Sequence, residues 1–226
     1  MAVQFAQPYR FSEQQLARMT EAGIIPGRGT DLVDGVPYRA GVPIRFSTDD
    51  YFRLGEFGVF REGDRVELID GEIIEMSPEG SRHSSCIRRL IRYLAPRVGT
   101  AIVGAQDSLA LPDGSWPRPD VVVLRPRDDE YVDEHPTSRD TLVVVEVSDS
   151  SLRSDRHVKA GRYAQAGIPE YWLVDLTRDK VSIHQSPVAG QYTDVRLYGS
   201  GEFWASPGLG GLEVAVDDVL KPRREP

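Results

Sequence analysis

Two short, almost wholly apolar runs constrain this chain more than anything else in it, because each carries one acid. Pro119-Asp120-Val121-Val122-Val123-Leu124 opens beside a carboxylate, and Leu142-Val143-Val144-Val145-Glu146-Val147 holds one inside. Continuous β-branched runs of this length read as strands buried on both faces. A buried carboxylate costs several kcal/mol unless a cation or hydrogen bonds compensate it. Two such strands bringing their acids together make a pocket suited to a divalent metal.

The chain has 226 residues, enough for one domain with an extension or for a small domain pair. No apolar stretch approaches the ~20 residues needed to span a bilayer, and Met1 to Arg10 has no apolar signal core, so neither membrane insertion nor export is expected. Cys86 is the single cysteine, which excludes an intrachain disulfide and a cysteine-rich zinc site and fits a cytoplasmic location. The net charge of −8 disfavours a nonspecific nucleic-acid coat. It leaves room for an enzyme acting on nucleic acid, because local patches decide contact. Arg82, His83, Arg88, Arg89 and Arg92 form one such cluster, which reads equally as a solvated helix face.

Residues 1–45 read as an N-terminal extension, 46–220 as the main domain and 221–226 as a frayed tail. The extension resembles a degenerate copy of 46–76. Phe11-Ser12-Glu13, Leu16, Met19, Gly23-Ile24-Ile25 and Asp31-Leu32-Val33-Asp34-Gly35 precede a similar series. That series is Phe46-Ser47-Thr48, Tyr51, Leu54, Gly58-Val59-Phe60 and Glu67-Leu68-Ile69-Asp70-Gly71. Each predicts a Ser-capped short helix, a Gly-containing loop and a strand entering an Asp-Gly turn. Asp31 stands where Glu67 stands. Chance recurrence of common turn residues would give the same pattern; a true duplicate can pack on the domain or on a partner chain.

Beyond Phe46 the pattern is regular. Val66–Ile69 and Glu72–Met76 flank Asp70-Gly71 as a hairpin. Ile87, Leu90, Ile91 and Leu94 give a helix over Ser81–Val98 one apolar face, with Pro96 loosening its last turn and Gly99 ending it. Short strands are expected at 101–104 and 107–111, longer ones at 120–124 and 142–147, with a loop over 125–140. Ser154 caps a helix over about 155–166, and strands follow at 171–176, 181–184, 192–198 and 212–216. Tyr171 and Trp172 read as core, His157 and His184 as surface residues. This order describes an α/β (α+β) fold, a sheet flanked by helices.

The acids could serve metal-assisted phosphodiester hydrolysis. Mg²⁺ takes oxygen ligands and keeps several waters, so one or two carboxylates suffice. Asp120 and Glu146 would be direct ligands, with Glu67 a third carboxylate held directly or through water. Lys159, in the helix after the Glu146 strand, would stabilise developing negative charge. His83 could carry a proton or contact a phosphate.

Glu67-Leu68-Ile69-Asp70-Gly71-Glu72, His83, Pro119-Asp120-Val121, Val145-Glu146-Val147-Ser148, Lys159 and Gly167-Ile168-Pro169-Glu170-Tyr171-Trp172-Leu173-Val174-Asp175 form an ordered set. Together they resemble the putative restriction endonuclease family of the PD-(D/E)XK nuclease superfamily, over about Phe46 to Leu220. The resemblance implies a restriction endonuclease-like mixed sheet flanked by helices, cleavage of DNA, and dependence on Mg²⁺, for which Mn²⁺ can substitute. It implies a site of Glu67, Asp120, Glu146, Lys159 and His83. Ser148 stands where the superfamily has its lysine, so the resemblance assigns that role to Lys159. A homodimer is expected by analogy with nucleases that cut both strands. Two other readings use the same residues: a nuclease-fold binding or regulatory module without turnover, and a metal-dependent hydrolase of a small phosphodiester.

Overall fold

The computed structural model describes residues 7–76, 79–149 and 159–220. The expected cap at Ser154, the start of its helix, His157 and the tail at 221–226 lie outside the described residues. The described residues form two compact units, one of 7–76 with 113–117, the other of 79–112 with 118–149 and 159–220.

The first unit contains β1 (Gln7–Pro8), α1 (Glu13–Glu21), β2 (Thr30–Val33), β3 (Val36–Arg39), β4 (Val42–Pro43), α2 (Thr48–Glu56), β5 (Val66–Ile69) and β6 (Glu72–Glu75). Its two similar stretches make the same bonds at corresponding places. Each helix starts on a capping box, Ser12 with Gln15 and Ser47 with Asp50. Asp34-Gly35 and Asp70-Gly71 have positive φ at both residues, 47° and 75° in one turn and 55° and 72° in the other. That is the backbone of a two-residue hairpin turn whose twist matches its strands. The Phe11 amide donates to the Gly35 carbonyl and the Phe46 amide to that of Gly71, both at 2.8 Å.

The short strands are exchanged between the two stretches: β1 pairs with β6, and β4 with β3. Tyr9 thus donates to the Ile73 carbonyl as Ile44 donates to that of Pro37, again both at 2.8 Å. Met19 and Leu54, at corresponding places, share one core with Phe11, Phe46 and Leu68. The Trp116 amide donates to the Leu68 carbonyl, which ties 113–117 to the edge of β5.

The second unit contains α3 (Ser81–Leu94), β7 (Ile102–Gly104), β8 (Val121–Leu124), β9 (Thr141–Ser148), α4 (Ala160–Gln165), β10 (Glu170–Asp175), β11 (Lys180–Val188), β12 (Gln191–Tyr198), β13 (Phe203–Ser206), β14 (Leu212–Ala215) and α5 (Val216–Val219). Six strands form one mixed sheet in the order β12-β11-β10-β9-β8-β7, parallel only between β9 and β10. Alternate residues of the Val-rich strands enter different layers. Val121, Val123, Val143, Val145 and Val147 pack with Cys86, Ile87, Leu90 and Leu94 of α3 and with Trp204 and Val214 of the β13–β14 hairpin. Val122, Val144 and Leu173 pack with Tyr163 and Ile168, on the side of α4. The central strands β8, β9 and β10 are therefore covered on both faces, which is why they lack polar alternation.

Several expectations change. α3 stops at Leu94, short of Val98, because Pro96 has no amide to continue the helical bonds. The strand expected over 107–111 is an extended segment with a single bridge, Ala110 to Thr137; Gln106 at φ 57° turns the chain before it and Pro112 offers no donor after it. His184 is buried, not on the surface: it packs on Tyr171 and Tyr192 and shares a hydrogen bond with Ser182. Tyr171 and Trp172 are fully buried.

Candidate functional site

In the β8–β9 ladder Val121 lies opposite Val145. Extending that antiparallel register by one residue sets Asp120 across from Glu146. Both acids are buried, at 5% and 4% exposure. Each is held by donors from a different layer.

Asp120 Oδ2 accepts from the Val147 amide at 2.7 Å and lies 3.1 Å from His83 Nε2. Its Oδ1 makes no hydrogen bond among the described residues. Charge-assisted bonds of this kind fix a carboxylate rotamer. His83 reaches Asp120 from the first turn of α3. Its other nitrogen, Nδ1, is buried with no hydrogen-bond partner among the described residues and lies 3.6 Å from Glu79 Oε2. Burial pulls the imidazole pKa down, but the hydrogen bond and charge of Asp120, helped by Glu79 and Asp149, outweigh it and hold the ring above its ordinary value.

Glu146 Oε1 accepts from Lys159 Nζ at 3.1 Å and from the Tyr163 hydroxyl at 2.8 Å. Lys159 is the residue that precedes α4 and Tyr163 follows one turn later, so a single helix end supplies both donors. Ser148, two residues beyond Glu146 on β9, is 1% exposed and its Oγ has no hydrogen-bond partner among the described residues. The strand position two residues beyond Glu146 thus holds a small hydroxyl, while an ammonium group meets Glu146 from the start of the helix.

In the second unit the expected residues fall into two bonded pairs, Asp120 with His83 and Glu146 with Lys159, at neighbouring positions of β8 and β9. Glu67 lies in the first unit, on β5 opposite Ile74, and is buried at 3% exposure. Three contributors were not singled out in the sequence as site groups. The Val147 amide leaves no residue-type signal. Tyr163 is legible only as the residue one helical turn after Lys159. Glu79 stands one turn before His83, which is a signal only once His83 is known to face inward.

Among the described residues, Glu79, His83 and Asp120 each offer one ligand atom, and these lie within 4.8 Å of one another. Two carboxylates and an imidazole, with Asp120 Oδ1 and His83 Nδ1 making no hydrogen bond among the described residues, are a donor set that could hold a divalent cation. In the basic cluster, Arg82 bonds the Leu176 carbonyl and Asp179, and Arg89 the Val219 carbonyl, whereas Arg88 and Arg92 are exposed.

Residues 48–217 match the Uma2 family profile, described as "Putative restriction endonuclease". The chain belongs to the Uma2 family. Its fold is also that of a solved structure, a putative nuclease belonging to DUF820 from Anabaena variabilis ATCC 29413, with a TM-score of 0.63 at 14% identity. The alignment covers 77% of this chain and 97% of the other, and at that identity the likeness concerns the fold. No curated protein matches the chain. Membership in Uma2 places the chain among nuclease-like proteins, and the family match begins at the second of the two similar N-terminal stretches. No helix among the described residues is long and apolar enough to cross a membrane.

Proposed function

We propose that this chain is a divalent-metal-dependent endonuclease that hydrolyses DNA phosphodiester bonds. The observation that carries the reading is the state of Asp120, whose Oδ2 is held by two donors while Oδ1 makes no hydrogen bond among the described residues. Asp120 and Glu146 would hold Mg²⁺, or Mn²⁺ in its place, with Glu79 of the three-residue cluster as a further oxygen donor. Such an ion supplies a lowered pKa to a bound water and neutralises phosphate charge.

The protein's own groups do the rest. The Val147 amide and His83 position Asp120. Tyr163 fixes Glu146. The Lys159 ammonium, held against Glu146, stabilises negative charge developing on the phosphate. Arg88 and Arg92, exposed one turn apart on α3, contact the DNA backbone. The role of Glu67 rests on its motif alone. The enzyme acts as a cytoplasmic homodimer, and residues 1–45 are a degenerate duplicate of 46–76.

Plasmid cleavage tests the reading. Wild type cuts in Mg²⁺ and not in EDTA. Asp120→Asn and Glu146→Gln each slow cutting by about 100-fold or more, the scale of losing a charge-stabilising group. Glu67→Gln, assayed beside them, does the same if the motif role holds. Cutting at the wild-type rate by Asp120→Asn or Glu146→Gln, or cutting in EDTA, overturns the assignment.

A further inference from the structure

The six-stranded sheet ends on β12, whose outer edge pairs with no strand among the described residues. Edge strands are ordinarily protected by being short, charged or bulged. β12 is eight residues long and exposes Thr193, Val195 and Leu197, which alternate onto one face. Val195 is 48% and Leu197 54% exposed. Between them Arg196 grips Asp194 with two bonds of 2.9 Å.

We propose that β12 is a self-association edge that pairs antiparallel with β12 of a second copy of this chain, about a two-fold axis at Val195. The register follows from side-chain chemistry. A two-fold axis normal to the sheet keeps each face on its own side, so opposed residues share a parity. Centring on Asp194 sets carboxylate against carboxylate, and centring on Arg196 sets guanidinium against guanidinium. Centring on Val195 sets Asp194 against Arg196 of the second copy, twice, Thr193 against Leu197, also twice, and Val195 against itself. Opposite charges and β-branched or aliphatic pairs are the favourable cross-strand combinations, and directly opposed like charges are unfavourable. Such an interface is isologous, with every pair occurring twice.

The pairing also has a catalytic consequence, and this part rests on the nuclease reading. β12 runs parallel to β9, and Asp120 and Glu146 lie at the end of the sheet where β9 finishes. Antiparallel pairing of β12 therefore sends the two centres to opposite ends of the joined sheet. They do not face one duplex together, so the dimer nicks DNA rather than cutting both strands in one encounter.

Sedimentation of the full-length protein at micromolar concentration tests the interface whether or not the protein is a nuclease. A dimer is expected. Arg196→Asp weakens it by about tenfold or more, because two opposite-charge pairs become two like-charge pairs. Adding Asp194→Arg to Arg196→Asp restores it, since the swapped charges are again self-complementary. Val195→Cys, oxidised, gives a covalent dimer, because only this register places residue 195 against itself. A monomer at all concentrations, a dimer indifferent to Arg196→Asp, or a Val195→Cys protein that does not cross-link overturns the interface. If the dimer behaves as expected but supercoiled plasmid goes directly to linear product without a nicked intermediate, the placement of the centres is wrong. If no cleavage occurs at all, the nuclease reading fails while the interface stands.

Discussion

Removing the Lys159 ammonium should cost stability as well as activity, and by an amount the structure sets. Its partner Glu146 is 5% exposed at the side chain and Lys159 itself 12%. Breaking a buried ion pair from one side costs about 3–5 kcal/mol, because the remaining charge keeps its desolvation penalty without its partner. Tyr163 still donates to Glu146, so Lys159→Met belongs near the lower end, about 3 kcal/mol. Glu146→Gln keeps the shape and a hydrogen-bonding oxygen but removes the negative charge facing the ammonium, at about 2 kcal/mol. The double variant removes both charges of the pair at once. It should therefore be more stable than the summed singles imply, by about 1.5–3 kcal/mol. Urea unfolding in EDTA measures this, with midpoints converted through the wild-type slope. All three variants should be inactive on plasmid. If the single effects add within about 0.5 kcal/mol, the two residues do not interact as described, and Lys159 loses its claim on the site.

Two further outcomes follow from titrating groups. Burial pushes the Cys86 thiol up to about 12, so a disulfide reagent near neutral pH should find no reactive thiol until urea unfolds the protein; rapid labelling of the native state would contradict its place in the core. The His83 imidazole is held above its ordinary 6.5 by Asp120 and Glu79. A raised folded pKa gives stability that is fully present below the unfolded value and lost as pH rises through the folded one. In EDTA the stability difference between wild type and His83→Gln should therefore shrink as pH is raised from about 6 to 9; a constant or growing difference would mean that His83 is not charged beside Asp120.

What was legible in the sequence was conflict: Asp120 and Glu146 stand in runs that otherwise want burial, and each is indeed buried with compensating donors. The sheet and α3 were legible because β-branched runs and 3.6-residue spacing report burial directly. The serine caps at Ser12 and Ser47 were legible from residue type alone, though not their reciprocal partners Gln15 and Asp50. The exchange of β1 and β4 was not, because a two-residue strand carries no periodicity. Glu79 and the Val147 amide were hidden for a related reason: their roles depend on where another segment passes. His184 misled because a lone histidine gives no sign that Ser182 will share its hydrogen bond.

The account stands on Asp120 as a dication ligand held ready by His83 and Val147. Binding of Mn²⁺, followed by the loss of its free-ion paramagnetic resonance signal, tests this without any need for turnover. Wild type should bind saturably, and Asp120→Asn should bind at least about tenfold more weakly, the scale of losing 1.4 kcal/mol. Equal binding by Asp120→Asn and wild type, or no saturable binding by wild type, would contradict it.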